Sequence, residues 1–298
     1  MMKTKTLTSL AAISLVAILN TACASMCGGQ KDISVQMYSA RQDIKADYSK
    51  TVKALGEMGF TSVEAAGYSN GKFYGMTPEQ FKKTIESNNM KVLSSHTSKR
   101  LSEKELESGD FTESLNWWKD AVKAHKAAGM EYICVPSMHN AQQLKTLKRL
   151  QVYCDYYNAI GKLCKENGIK FGYHNHKFEF EKIQGKVMYD YMLEHTNPEY
   201  VFFEMDVYWT VRGECSPVAY FNKYPKRFKL LHIKDDKELG QSGMVGFDAI
   251  FNNVDKAGTE HIIVEVERYN FKPLESIDKS IKYLQKSAFV PCKYNVAK

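Results

Sequence analysis

The chain is poor in proline and shows no cysteine pattern, with 7 of each in 298 residues and no C-x-x-C pair. Scarce proline beside an ordinary 44% hydrophobic content argues against disorder. Without paired cysteines at short spacing there is no zinc ribbon. Past the start of the chain stand Cys134, Cys154, Cys164, Cys215 and Cys292, an odd set, and a core of this size needs no disulfide framework. Cys134 falls in an apolar strand pattern and reads as a small core residue. Free thiols are unusual in an exported protein, which leaves room for one disulfide. No apolar run reaches the ~20 residues of a membrane-spanning helix. No glycine-rich first βα turn and no phosphate-cradling loop is present, so a doubly wound nucleotide fold is disfavoured. The net charge of +7 is not a basic stripe, because lysines alternate with acids in stretches such as 102–107 and 162–166. That is a solvated surface, and no nucleic-acid partner is expected.

What is present begins with a signal sequence over residues 1–24. Lys3 and Lys5 precede an apolar run at 10–19, followed by Asn20-Thr21-Ala22-Cys23-Ala24. Two cleavage readings compete. Ala22-Cys23-Ala24 fits an A-x-A site cut after Ala24, whereas residues 19–23 resemble a loose lipobox that leaves Cys23 as a lipidated N-terminus. The second is preferred, because a tether at 25–31 with Gly28-Gly29 follows. Either way the protein is expected to be exported, periplasmic or envelope-anchored.

The body, residues 32–290, repeats a β-rich run, a polar loop and an amphipathic helix. Strands are expected at 33–38, 62–65, 91–96, 132–136, 169–174, 200–206, 228–233 and 261–267. Helices are expected at 51–58 before Gly59, from Pro78 behind a Thr77 cap, at 118–128 before Gly129 and at 156–167 before Gly168. Two more span 247–257, before Gly258, and 273–285. Strands separated by helices run parallel, and eight such units close into a single (β/α)8 TIM barrel.

Residues of one parity in each strand face the barrel interior, and the active site of this fold lies at the strands' C-terminal ends. Strand six alternates Phe202, Glu204 and Asp206 on one face; strand seven has Leu230, His232 and Lys234; strand eight has Ile263, Glu265 and Glu267. Strand five carries His174 and His176, strand two Glu64 and strand three His96. Inward charges cannot each stay unpaired. Two His, an Asp and a Glu converging on one point form an N/O ligand set for a divalent metal ion.

These segments resemble the xylose isomerase-like family of sugar phosphate isomerases and epimerases. The matching stretches are Val35-Gln36-Met37-Tyr38-Ser39-Ala40-Arg41, Gly59-Phe60-Thr61-Ser62-Val63-Glu64 and Gly172-Tyr173-His174-Asn175-His176 with Phe178-Glu179-Phe180. Met205-Asp206-Val207-Tyr208-Trp209, Leu231-His232-Ile233-Lys234-Asp235 and Val264-Glu265-Val266-Glu267 complete the pattern. The resemblance implies metal ligands Glu, Asp, His and Glu from strands five to eight. Asp206, His232 and Glu265 match, and His174 stands where the first Glu is expected, which weakens two-base epimerisation. The resemblance thus implies that His174, Asp206, His232 and Glu265 hold one divalent ion, Mn, Co, Zn or Mg. It further implies proton abstraction next to the carbonyl of a small carbohydrate, with Glu267, Glu64 and His176 as candidate bases and Lys234 as donor. Gln36, His96 and Trp209 are the candidate substrate contacts, whereas Trp117 and Trp118 read as helix packing. Isomerase or epimerase is the first expectation. A lyase or hydratase on 3-keto-glycosides, an inosose-type dehydratase and a non-catalytic sugar-binding lipoprotein are the alternatives. A DNA endonuclease on the same barrel would need further His and Glu ligands and does not fit export.

Overall fold

The computed structural model describes residues 30–138 and 144–294, so the signal-sequence and Cys23 readings lie outside the described residues. Eight parallel strands form the barrel: β1 (Ser34–Gln36), β2 (Ser62–Ala65), β3 (Lys91–Ser95), β4 (Tyr132–Val135), β5 (Lys170–His174), β6 (Val201–Asp206), β7 (Leu230–Lys234) and β8 (His261–Glu265). Their order is β3-β2-β1-β8-β7-β6-β5-β4. The two end strands meet at a thin seam. A bridge joins His96 to Cys134, the Glu131 N–H donates to Leu93 O at 3.0 Å, and the Thr97 N–H donates to Cys134 O at 2.9 Å. The barrel is nearly closed.

One main helix follows each strand: α1 (Tyr48–Met58), α2 (Pro78–Glu86), α3 (Thr112–Ala127), α4 (Leu147–Glu166), α5 (Met188–His195), α6 (Pro217–Lys223), α7 (Phe247–Phe251) and α8 (Pro273–Lys286). Thr77 and Gln80 form a reciprocal capping box at α2, which fixes where that helix starts. Gly59 ends α1 at φ 96°, a left-handed conformation that a side chain would resist. The seventh helix departs from expectation. It breaks into Phe247–Phe251 and Val254–Ala257 at Asn252-Asn253, where the Asn253 amide turns back to donate to Ala249 O at 2.8 Å. The first and last strands also stop short. Met37–Ala40 winds into a 3-10 turn, so Tyr38 leaves the sheet, and Glu267 lies two residues beyond β8.

Outward residues such as Val35, Val63, Phe203, Met205, Ile262 and Val264 pack under the helices in the main core. Inside the barrel a separate cluster of Leu93, Tyr132, Cys134, Phe202, Leu230 and Ile263 fills the lumen. Gly172 on β5 makes room for that plug, since a Cβ there would sit 2.5 Å from the Phe202 ring. The foot is closed by Glu260, which accepts from Tyr132 Oη and Lys170 Nζ, both at 2.5 Å, and from Lys229 Nζ at 2.6 Å. There too the Asp32 N–H donates to Cys292 O at 3.0 Å. Cys292 is disulfide-bonded, while Cys134, Cys154, Cys164 and Cys215 are free. No helix among the described residues is long and apolar enough to cross a membrane.

Candidate functional site

Above the apolar plug the lumen turns polar. Asp206 ends β6 and also caps the helix Val207–Arg212, accepting the Trp209 N–H at 2.8 Å through Oδ1. Capping occupies that oxygen and leaves Oδ2 buried without a hydrogen-bond partner. His232 on β7 has the same feature at Nδ1. His174, Asp206, His232 and Glu265 offer donor atoms that all lie within 4.8 Å of one another, and all four residues are buried. With His174 Nδ1, three unpartnered buried atoms stand in one knot of imidazole and carboxylate, which is costly unless a cation or a further hydrogen bond completes them. The residues present therefore fit a divalent ion.

The electrostatics agree with that reading. Burial, with Glu265 nearby, pushes the Asp206 carboxyl up to about 8, an acid awaiting a positive partner. Burial also opposes charge on Glu265, yet Lys234 and His232 beside it prevail and hold it below the usual carboxylate range. For His174 burial dominates, and with the positive neighbours His232 and His96 it keeps the ring neutral, the form that ligates metal.

Over this knot opens a cavity of about 460 Å³. Its floor includes His96, His174, His176 and Glu265, its rim Glu267, and its apolar walls Tyr38, Tyr68 and Trp117. Lys234 Nζ lies 2.7 Å from Glu267 Oε2 and 3.4 Å from Glu265 Oε2, so one ammonium joins the rim to the knot. Arg41 braces the rim, donating to Glu267 O at 3.0 Å with its guanidinium over the Tyr38 ring.

Several expected roles change place. Glu64 is wholly buried beneath the knot, bonded to His232 Nε2 at 2.8 Å, and cannot reach a substrate in the cavity as a base. Gln36 is buried as well, its amide donating to Glu64 and its oxygen accepting the Tyr38 N–H, so it has no contact to offer. Trp209 packs on His176 at 5.7 Å between ring centres and lies outside the cavity lining. Trp117 takes the wall position instead, whereas Trp118 is buried and donates to Tyr156 Oη, packing as expected. His96, His176 and Glu267 do line the cavity. Sequence reasoning missed Glu204, buried with Oε2 2.7 Å from His96 Nε2. Its signal was present, since it shares the inward parity of Asp206.

Known proteins with this architecture narrow the family. A sugar phosphate isomerase/epimerase of Parabacteroides distasonis is 31% identical, covering 90% of this chain and 98% of its own, at a TM-score of 0.81. An inosose dehydratase of Bacillus cereus is 23% identical over 277 residues, 81% of this chain and 90% of that protein. Another, from Clostridium tetani, is 28% identical over 159 residues, but the match spans only 53% of that protein. The IolI protein, solved with a bound zinc atom, shares the fold at 12% identity and a TM-score of 0.66, covering 89% of this chain and all of its own. The xylose isomerase-like TIM barrel description matches residues 52–287, and the chain belongs to that family.

Proposed function

We propose that this protein is a metal-dependent carbon–oxygen lyase that removes a proton next to a ketone of a cyclic carbohydrate and expels the β-oxygen substituent. The observation that carries the reading is the pairing of a four-residue donor knot with a single additional carboxylate, Glu267, on the cavity rim. A divalent ion held by His174, Asp206, His232 and Glu265 would supply the positive charge that polarises the ketone. Glu267 takes the proton from the neighbouring carbon, and the C–H electron pair becomes the new C=C bond. The C–O bond to the β-substituent breaks, and the Lys234 ammonium gives that oxygen its proton. Glu267 then returns the abstracted proton to Lys234 across their 2.7 Å contact, which resets both groups. His176 stays neutral, because burial pushes its pKa down to about 4, and serves as a hydrogen-bond partner for a substrate hydroxyl. The inosose dehydratases among the relatives support elimination.

Isomerisation or epimerisation is the second reading, supported by the likeness to the Parabacteroides protein. The His at position 174 removes the second carboxylate that two-faced proton exchange would use. Incubating the Mn-loaded protein in D2O with inososes, 3-keto-glycosides and free sugars, followed by NMR, separates the readings. Release of water or aglycone with formation of an enone is expected. Deuterium uptake without release would reassign the protein as an isomerase or epimerase, and an unchanged bound sugar would make it a binding protein.

The proposal includes export, with a lipid anchor at Cys23. Residues 1–31 support both, and the disulfide at Cys292 supports the export alone, since such bonds persist in oxidising compartments. Export disfavours phosphosugars, which are cytoplasmic metabolites. Cys23→Ala should release the protein from the membrane fraction or block maturation; a cytoplasmic product with an intact N-terminus would defeat the assignment.

A further inference from the structure

Two carboxylates lie one layer below the donor knot, Glu64 on β2 and Glu204 on β6, both fully buried. Two histidines span the layers. His232 places Nε2 2.8 Å from Glu64 Oε1 below and Nδ1 3.5 Å from Glu265 Oε2 above. His174 places Nδ1 3.2 Å from Glu204 Oε2 below and Nε2 4.0 Å from Asp206 Oδ2 above. Each ring thus faces a buried carboxylate with one nitrogen and the knot with the other. His96 ties the lower layer together, its Nε2 lying 2.7 Å from Glu204 and 3.1 Å from Glu64 while its ring stacks on His232 at 14°.

We propose that Glu64 and Glu204 are positioning residues: Glu64 fixes the tautomer of His232 through the hydrogen bond already formed, so that Nδ1 faces the cation, and Glu204, 3.2 Å from His174 Nδ1 but not yet hydrogen-bonded to it, takes that N–H when a cation engages Nε2, with His96 holding the two carboxylates in register. The inference rests on the metal reading of the upper four residues. A carboxylate accepts an N–H from one ring nitrogen, which leaves the lone pair of the other free and more basic. It also accounts for two buried acids that the chemistry above does not use. Where the family resemblance leads one to expect a ligating Glu, this chain places a neutral ring and sets a carboxylate behind it on the adjacent strand.

A rival arrangement exists. His96, His174, Glu204 and His232 also offer donor atoms within 4.8 Å of one another, and an ion there would make Glu204 a ligand. That placement would leave Asp206 Oδ2 buried and unpartnered, whereas an ion in the upper knot leaves Glu64 Oε2 and Glu204 Oε1 so. The upper knot, which holds Asp206 and Glu265 at the ends of their strands, is the site taken for the cation, and a cobalt titration separates the two.

Cobalt titration followed by visible absorption tests the inference on wild type, Glu64→Gln, Glu204→Gln, Glu204→Asp and Asp206→Asn, each also melted without metal. Glu64→Gln and Glu204→Gln should bind Co²⁺ roughly 10–100-fold more weakly, the usual loss for an outer carboxylate, with the ligand-field spectrum and metal-free melting retained. Glu204→Asp should restore part of the affinity, and Asp206→Asn should abolish binding. Wild-type affinity in both Gln variants would overturn the inference. So would loss of the spectrum in Glu204→Gln with its retention in Asp206→Asn, which would put the ion in the lower site. Absence of Co²⁺ uptake by the wild type would defeat the metal reading itself and this inference with it.

Discussion

His125, buried on α3, has its Nδ1 2.6 Å from Ala121 O and its Nε2 2.8 Å from Thr97 Oγ1, with the Tyr68 and Phe73 rings against it. A backbone carbonyl only accepts, so Nδ1 carries a proton. Burial pushes its pKa down to about 4 from an ordinary 6.5. Between those values the unfolded chain binds the proton more readily than the folded one. Stability is therefore complete above pH 6.5 and is lost as pH falls toward 4, by on the order of 3 kcal/mol. Acid melting curves should show that slope, and His125→Gln should flatten it. Thr97 lines the cavity, so the same variant should loosen that wall. At the donor knot the proton balance runs the other way. Burial raises Asp206 to about 8, and although burial opposes charge on His232, the carboxylates around it hold its pKa well above the usual value. Metal must displace those protons, so calorimetry at pH 7 in buffers of different ionisation enthalpy should report proton release, and affinity should rise with pH. Glu267→Gln should lower kcat by roughly 10²–10⁴-fold, the usual loss for a general base, with metal content unchanged.

At the level of strands and helices, legibility followed periodicity. The two-residue alternation of β6, β7 and β8 announced Asp206, His232 and Glu265 as inward residues, because a strand shows its faces in the spelling of the chain. The same alternation contained Glu204, but depth along the lumen is set by the stagger of neighbouring strands, which no single strand displays. Tyr68 reached the cavity from a hairpin after β2 and Trp117 from the helix α3, neither of them a barrel strand, and Trp209 was turned aside because Asp206 starts a helix at that point. Glycine at 172 is legible only once β5 and β6 are paired in register, with Gly172 beside Phe202. Gly172→Ala should cost about 1–3 kcal/mol, since the added methyl must push against a ring in a filled lumen. Chemical denaturation with an unchanged m-value is the check. Pairing the substitution with Phe202→Leu should recover part of the loss.

Over the whole molecule, cohesion is uneven around the barrel. Seven strand pairs carry ladders, broken only by a register shift at Val63/Glu64 between β2 and β3, while β3 and β4 are joined by one bridge and flanking bonds. Hydrogen exchange should therefore be faster at the amides of Thr97 and Glu131 than within β6, and proteins open first where such bonding is sparse. Polar closure by Glu260 with its two lysines makes the foot a structural face, and the candidate site occupies the opposite one. Gln30, which donates to Gly59 O, and Cys292, bonded to Asp32, place both ends of the described chain at that foot. This polarity sets a heading. Were the proposed lipid anchor at Cys23 to hold, the barrel would stand on a bilayer like a cup on its base, open toward the surrounding fluid. Its substrates would then arrive by three-dimensional diffusion and need no lateral travel within the lipid.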